Sequence, residues 1–93
     1  MEIRKLMGIT RKFSNDRRKL NRALKKAGIE FTWDYLYDGY QWRFSTFRGD
    51  VAIHSGTYGS RHGLFESYHM PWDEEDVTVL TCAEVIQHLT KGE

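Results

Sequence analysis

The stretch that decides the fold is residues 30–47, EFTWDYLYDGYQWRFSTF. Aromatic residues alternate with mostly polar ones on both sides of Asp38-Gly39, which is the period-two pattern of strands with one buried face. Asp-Gly between two such runs predicts a tight hairpin turn. With Asp38 and Gly39 as the loop, Tyr35 faces Trp42 and Asp34 forms a cross-strand ion pair with Arg43.

Further strands are expected on the C-terminal side of this hairpin. A third strand is predicted at about residues 51–54, with Val51 and Ile53 on the aromatic face, and a fourth at about residues 64–69. Residues 77–80 are expected to form a short extended segment outside the sheet. Thr81-Cys82-Ala83-Glu84 is typical of a capping box, which predicts a short C-terminal helix. Its apolar face is formed by Cys82, Val85, Ile86 and Leu89.

Residues 2–27 repeat every seven positions in two ways. One set of positions forms an apolar stripe interrupted by Arg17, and pairs of Lys and Arg recur on the opposite side. The preserved phase predicts one long amphipathic helix that ends at Gly28. A helix broken near Ser14, where Ser14-Asn15-Asp16 resembles an N-cap, is the alternative.

These elements predict one α+β domain over residues 1–93. The long N-terminal helix packs on a four-stranded antiparallel β-meander, and the short helix comes last, in the order α-β-β-β-β-α. The core would come mainly from five Phe, five Tyr and three Trp.

Composition bounds the class of protein. The chain has a single cysteine, Cys82, which excludes an intramolecular disulfide and fits a reducing compartment. No apolar run approaches the length of a membrane span, and the N-terminus lacks the apolar core of a signal peptide. We therefore expect a cytoplasmic protein.

The net charge of +1 conceals a strong asymmetry. Residues 1–28 carry ten Lys and Arg against two acids, a net +8, whereas residues 29–93 carry four against eleven, a net −7. Such a division indicates an anionic partner or an internal electrostatic match. The candidate nucleic-acid-binding residues are those of the N-terminal helix, namely Arg4, Lys5, Arg11, Lys12, Arg18, Lys19, Arg22, Lys25 and Lys26.

The chemistry-bearing residues do not form a recognisable catalytic, cofactor or metal motif. The histidines lack the i, i+4 spacing of a zinc pair, and Cys82 is placed in the first turn of a helix away from them. Gly59-Ser60-Arg61-His62-Gly63 differs from the spacing of a nucleophile elbow and does not join a strand to a helix. We expect neither catalysis nor a cofactor.

Two segments are predicted to contact a partner protein. The glycine-punctuated loop 56–63 offers residue types that are common at recognition surfaces, and residues 73–76 form an acidic run on a solvated loop. Because most of the aromatic residues are expected to lie on the core face, the pattern argues against base stacking of the kind used by single-strand binders. The candidate partner-binding residues are Tyr58, Arg61, His62, Asp73, Glu74, Glu75 and Asp76.

The chain resembles small proteins encoded by phages and prophages. A basic helix leading into Tyr- and Trp-rich strands carries the resemblance, together with Gly49-Asp50-Val51, Ser55-Gly56-Thr57-Tyr58-Gly59 and Gly63-Leu64. In size and layout it is similar to the anti-CRISPR proteins of that group. The resemblance implies an inhibitor that binds a host defence protein, such as a CRISPR nuclease, stoichiometrically; no functional residue is carried over from it.

The sequence supports three hypotheses. The first is the phage-encoded inhibitor of a host protein, which would use the acidic body or the 56–63 loop. The second is a nucleic-acid-binding accessory protein that uses the basic helix. The third is a homodimer with that helix as its seam.

Overall fold

The computed structural model describes residues 12–74 and 77–91. Helix α1 spans Ser14–Lys26 and helix α2 spans Cys82–Lys91. Between them lie five strands and one short 3-10 turn, Ser60–His62. The strands are β1 (Phe31–Leu36), β2 (Gly39–Phe44), β3 (Asp50–Ile53), β4 (Phe65–Tyr68) and β5 (Val77–Leu80).

The sheet is an antiparallel meander in the order β1-β2-β3-β4-β5, with β1 and β5 at its edges. The α+β class and the meander are confirmed, but the prediction of four strands is wrong. Residues 77–80 pair with β4 along their whole length, from Tyr68 opposite Val77 to Phe65 opposite Leu80. A strand of four residues is too short for periodicity to distinguish it from an extended connection.

One face of the sheet forms the core together with both helices. Leu20 and Leu24 of α1 and Val85 and Leu89 of α2 belong to the same buried cluster as the inward side chains of the strands. Val51 and Ile53 lie on the aromatic face, as predicted. The strand residues of this cluster are Tyr40, Trp42, Phe44, Val51, Ile53, Phe65 and Leu80.

The β1–β2 hairpin forms with a register two residues away from the predicted one. Tyr35 lies opposite Tyr40 and Trp33 opposite Trp42, so Tyr37 and Asp38 make the turn. A shift of two residues keeps every side chain on its predicted face. The predicted Asp34–Arg43 pair does not form, because Arg43 instead contacts Asp50 of β3, with Nε and Oδ1 3.2 Å apart.

Gly39 explains why the turn does not fall on Asp38-Gly39. A Cβ at this position would lie 1.9 Å from the backbone oxygen of Ile53, so the glycine is required by the close approach of β3. It therefore belongs to strand β2. The positive φ of the turn falls on Tyr37, at 53°.

Helix α1 begins at Ser14, because Phe13 has a left-handed backbone with φ of 67°. A single helix through residues 2–27 is therefore wrong, because Phe13 interrupts it. Of the alternative, a helix broken near Ser14, only the second part falls within the described residues, and it begins at Ser14. The expected N-cap role of Ser14 is wrong, because Ser14 lies within the helix. Its hydroxyl instead contacts the Tyr40 hydroxyl at 3.2 Å. The structure of residues 1–11 lies outside the described part.

Both helix termini that the sequence marks most clearly are confirmed. At the end of α1, the amide of Ile29 donates to the carbonyl of Leu24, and the amide of Gly28 donates to the carbonyl of Lys25. With Gly28 at a φ of 73°, these two bonds form a Schellman motif. At the start of α2, the Thr81 amide donates to Glu84 Oε1, and the Glu84 amide donates to Thr81 Oγ1. Cys82 is buried, and burial raises the pKa of its thiol.

We predict that Gly39→Ala destabilises the fold far more than Gly28→Ala. The alanine methyl at 39 meets backbone that cannot move without breaking the β2–β3 pairing, so the free energy of unfolding should fall by about 3 kcal/mol or more. Gly28 has open space around its Cβ position. Gly28→Ala should therefore lower the free energy of unfolding by only roughly 1–2 kcal/mol, which is the cost of placing an alanine in the left-handed conformation. Urea denaturation measures both, and equal losses would contradict the assigned register.

Candidate functional site

Helix α1 presents a basic surface to solvent. Its thirteen residues, SNDRRKLNRALKK, contain six Lys and Arg and one acid. At 100° per residue, five of the basic side chains fall on an arc of about 120° opposite Leu20 and Leu24, neither of which is exposed. All five are exposed, and we call them the basic face: Arg18, Lys19, Arg22, Lys25 and Lys26.

The acidic side chains that the structure describes are not paired with the basic face. No carboxylate in residues 12–74 or 77–91 forms an ion pair with any of its five side chains, and Arg18 donates to the amide oxygen of Asn15. Asp16 is the one acid of α1; burial raises its pKa, and the charge of Lys19 opposes that shift. The positive charge is therefore available to a partner.

The predicted nucleic-acid-binding residues outside the basic face have different outcomes. Lys12 is exposed and contacts Asp38, with Nζ and Oδ2 3.6 Å apart. Arg4, Lys5 and Arg11 lie outside the described residues.

Arg17 interrupts the apolar stripe of α1 because it packs on aromatic rings. Its guanidinium carbon lies 4.7 Å from the ring centroid of Trp33 and 5.3 Å from that of Tyr40. Cation–π contact of this kind allows an arginine to occupy an inward helix position. Its Nε is buried and has no hydrogen-bond partner among the described residues.

A groove of about 640 Å³ runs between the C-terminal half of α1 and the edge strand β1. Aromatic rings of Phe31, Trp33 and Phe44 contribute to it from the core face of the sheet. The other residues that line it are Asn21, Lys25, Ile29, Glu30, Thr32, Arg43 and Ser45. Lys25 belongs to both the groove and the basic face.

The groove exists because α1 covers β2 and leaves β1 largely open. Trp42 of β2 is fully buried, and its indole nitrogen donates to the side-chain oxygen of Asn21 at 2.7 Å, which fixes the helix above this strand. Trp33, directly opposite on β1, is only half-buried, and Tyr35 is 57% exposed. On β1, Phe31 and Trp33 pack against the core cluster but are only partly buried, and Tyr35 is the aromatic residue of this strand that is not committed to the core.

The loop between β3 and β4 is anchored to the sheet by Glu66. The Glu66 side chain is buried on the face away from the helices, where its carboxylate accepts from the Tyr58 amide at 2.7 Å and from the Tyr68 hydroxyl. Tyr58, Arg61 and His62 are all exposed, the ring of Tyr58 by 70%. The predicted loop residues thus share one ordered, solvent-facing segment.

The acidic run does not form the predicted solvated surface as a whole. Asp73 accepts hydrogen bonds from the Ser67 hydroxyl at 2.7 Å and from the Met70 amide at 2.9 Å, so its carboxylate holds the turn after β4. Glu74 is exposed. Glu75 and Asp76 lie outside the described residues.

Asp38, His54 and Ser55 come together at the β1–β2 turn in an arrangement that differs from a catalytic triad. The Ser55 hydroxyl and amide both donate to Asp38, and these bonds lower the pKa of that carboxyl. His54 Nδ1 accepts from the Gly56 amide at 3.0 Å. The serine proton is thus directed to the aspartate and not to the imidazole, so the relay of a serine hydrolase does not form.

The described residues contain no candidate metal site and no candidate membrane span. Across 12–74 and 77–91, no three His, Cys, Asp or Glu side chains are grouped so that they could hold a metal ion. Neither helix in that part of the chain is both long and apolar enough to span a bilayer.

No protein family model, curated protein or solved structure matches this chain.

We predict that Tyr68→Phe destabilises the protein and changes its alkaline pH dependence. Burial raises the pKa of Tyr68 far above its usual value, and the adjacent Glu66 carboxylate raises it further. Below about pH 10 the Tyr68 hydroxyl is protonated in both states and stabilises the fold. Above about pH 10 the hydroxyl ionises in the unfolded state but stays protonated in the folded state, so the stability falls as the pH rises. At neutral pH the free energy of unfolding of Tyr68→Phe should be about 1.5–3 kcal/mol lower than that of the wild type. Its stability should also fall less steeply above about pH 10, because the variant has no hydroxyl to ionise.

Chemical denaturation between pH 7 and 11 measures the effect. Tyr58→Phe is the matched control, because only the backbone amide of Tyr58 bonds to Glu66. An alkaline profile of Tyr68→Phe that superimposes on that of the wild type would rule out this role for the hydroxyl.

Proposed function

We propose that this chain is a non-enzymatic binding protein whose basic face docks on the phosphate backbone of a nucleic acid. The observation that carries the proposal is that Arg18, Lys19, Arg22, Lys25 and Lys26 are exposed on one helix face without an ion-pair partner among the described residues. Unneutralised cations aligned along a helix are suited to a linear polyanion, because each phosphate they neutralise releases a counterion.

The dimensions agree with this reading. Helix α1 has thirteen residues and is therefore about 20 Å long. The five basic side chains lie between residues 18 and 26, about 12 Å of helix, and a duplex advances about 3.4 Å along its axis for each phosphate of one strand. The basic face can therefore contact about three or four consecutive phosphates of one strand.

The acidic remainder of the chain would orient a bound polyanion towards α1. Residues 29–93 carry a net charge of −7, so a polyanion is repelled from that part and attracted to the helix. Such an asymmetric field steers association even when the net charge is close to zero.

The test is charge reversal on the basic face, with Arg22→Glu and Lys26→Glu combined. Fluorescence anisotropy with a labelled oligonucleotide of about 16 nucleotides, as single strand and as duplex, gives affinity as a function of salt. Loss of two phosphate contacts should weaken binding at low salt by on the order of tenfold or more. The slope of log K against log salt should become shallower by about 1.4–1.8.

The control is the double variant Arg48→Glu with Lys91→Glu. It changes the net charge by the same amount at exposed positions outside the basic face. The proposal requires this control to retain most of the wild-type affinity. If both double variants weaken binding equally, the effect is one of net charge alone, and if the α1 variant binds like the wild type, the basic face is not the interface.

The ordered 56–63 loop favours a second candidate, an inhibitor of the anti-CRISPR type that binds a host protein. Tyr58 and Arg61 project from a segment that Glu66 holds in place, which lowers the entropy lost on binding. In a nuclease-treated bacterial lysate, the immobilised chain should retain one protein. Tyr58→Ala with Arg61→Glu should abolish that retention, and the α1 double variant should preserve it. Retention by the loop variant would rule out this candidate.

A further inference from the structure

We infer that the groove between α1 and β1 takes an unpaired base, so that the nucleic acid bound by this chain is single-stranded. The inference rests on the proposed function and names the form of its partner. It arises from the juxtaposition of a basic helix face with half-buried aromatic side chains on an open sheet edge.

The first step is the continuity of the groove with the basic face. Lys25 lines the groove and also belongs to the row of exposed cations on α1. A strand whose phosphates follow that row is therefore adjacent to the groove along the C-terminal half of the helix.

The second step is the chemistry of the lining. Phe31 and Trp33 provide aromatic surface beside Lys25. The other charged side chains of the lining are Glu30 and Arg43, and Arg43 is paired with Asp50. An aromatic surface beside a row of cations, here the basic face that the groove meets at Lys25, is the combination with which proteins bind single strands, since bases stack on rings while cations contact phosphates. This complementarity favours a polyanion over an apolar peptide segment.

The third step is that the aromatic surface is held in place. The Trp33 ring makes edge-to-face contacts with Tyr35 and Tyr40, at centroid distances of 5.6 and 5.5 Å, and the Arg17 guanidinium lies over it. The indole is therefore ordered although only half-buried. At about 640 Å³, the groove is within the range of volumes that hold a small molecule, which accommodates a nucleobase.

In a duplex the bases are stacked on one another and their faces are inaccessible. A groove that contributes by stacking therefore discriminates between the two forms, whereas the basic face attracts both. We expect the wild-type chain to bind an oligothymidylate of about 16 nucleotides at least tenfold more tightly than a duplex of the same length, with quenching of tryptophan fluorescence.

The test is Trp33→Leu, which keeps an apolar side chain and removes the ring. Its affinity for the oligothymidylate should fall by about 5- to 150-fold, while the duplex affinity and the slope of log K against log salt stay at wild-type values. Trp72→Leu is the matched control, because Trp72 stacks on His88 beside α2 and does not line the groove. Phe31→Leu, a second change to the groove lining, should also lower the single-strand affinity, and it serves as the test variant if Trp33→Leu does not fold.

The outcomes separate the inference from the proposed function. Tighter binding to duplex than to single strand, or unchanged single-strand affinity in folded Trp33→Leu, would overturn the inference and leave the basic face as a duplex-binding surface. An absence of binding to both forms would overturn the proposed function as well. A loss of affinity in Trp72→Leu equal to that in Trp33→Leu would also overturn the inference, because the groove would then have no special role.

Discussion

The packing of α1 against the buried ring of Trp42 is the contact on which the rest of the structure depends. Leu20 and Leu24 lie in the core cluster with that ring, and Asn21, between them on the helix, accepts the indole hydrogen bond. An apolar contact alone would allow the helix to roll about its axis, whereas a buried donor needs its one acceptor. The bond therefore fixes the rotation of α1, which points its five cations away from the sheet.

The same contact divides the aromatic face into a closed part and an open part. Over β2 and β3 the face is buried beneath α1 and α2, but on β1 the rings of Trp33 and Tyr35 remain partly accessible. Arg17, the arginine in the apolar stripe, lies at the boundary between these two parts, because its guanidinium packs on the buried ring of Tyr40 and on the half-buried ring of Trp33. Charge and aromatic surface thus become neighbours at one edge of the domain.

The sequence predicted the features that depend on neighbouring residues, such as the alternation of the hairpin, the capping box at Thr81 and the stop at Gly28. The prediction from sequence failed for features that depend on contacts between residues far apart in the chain. Alternation is unchanged by a shift of two residues, so the register depended on the approach of Ile53 to Gly39, which periodicity cannot reveal. The basic face was predicted from the heptad phase. The groove was not, because the exposure of Trp33 depends on which strands the helix covers; Arg17 in the apolar stripe was the available signal.

The most direct test of this account is an NMR titration of the labelled protein with a single-stranded oligonucleotide, monitoring backbone amides and the three tryptophan indole resonances. The account predicts that the largest shifts occur in α1, in β1 and at the Trp33 indole, while the Trp72 indole and the loop at Tyr58 change little. Shifts that are confined to the loop or to α2, or a Trp33 indole that does not respond while α1 does, would contradict it.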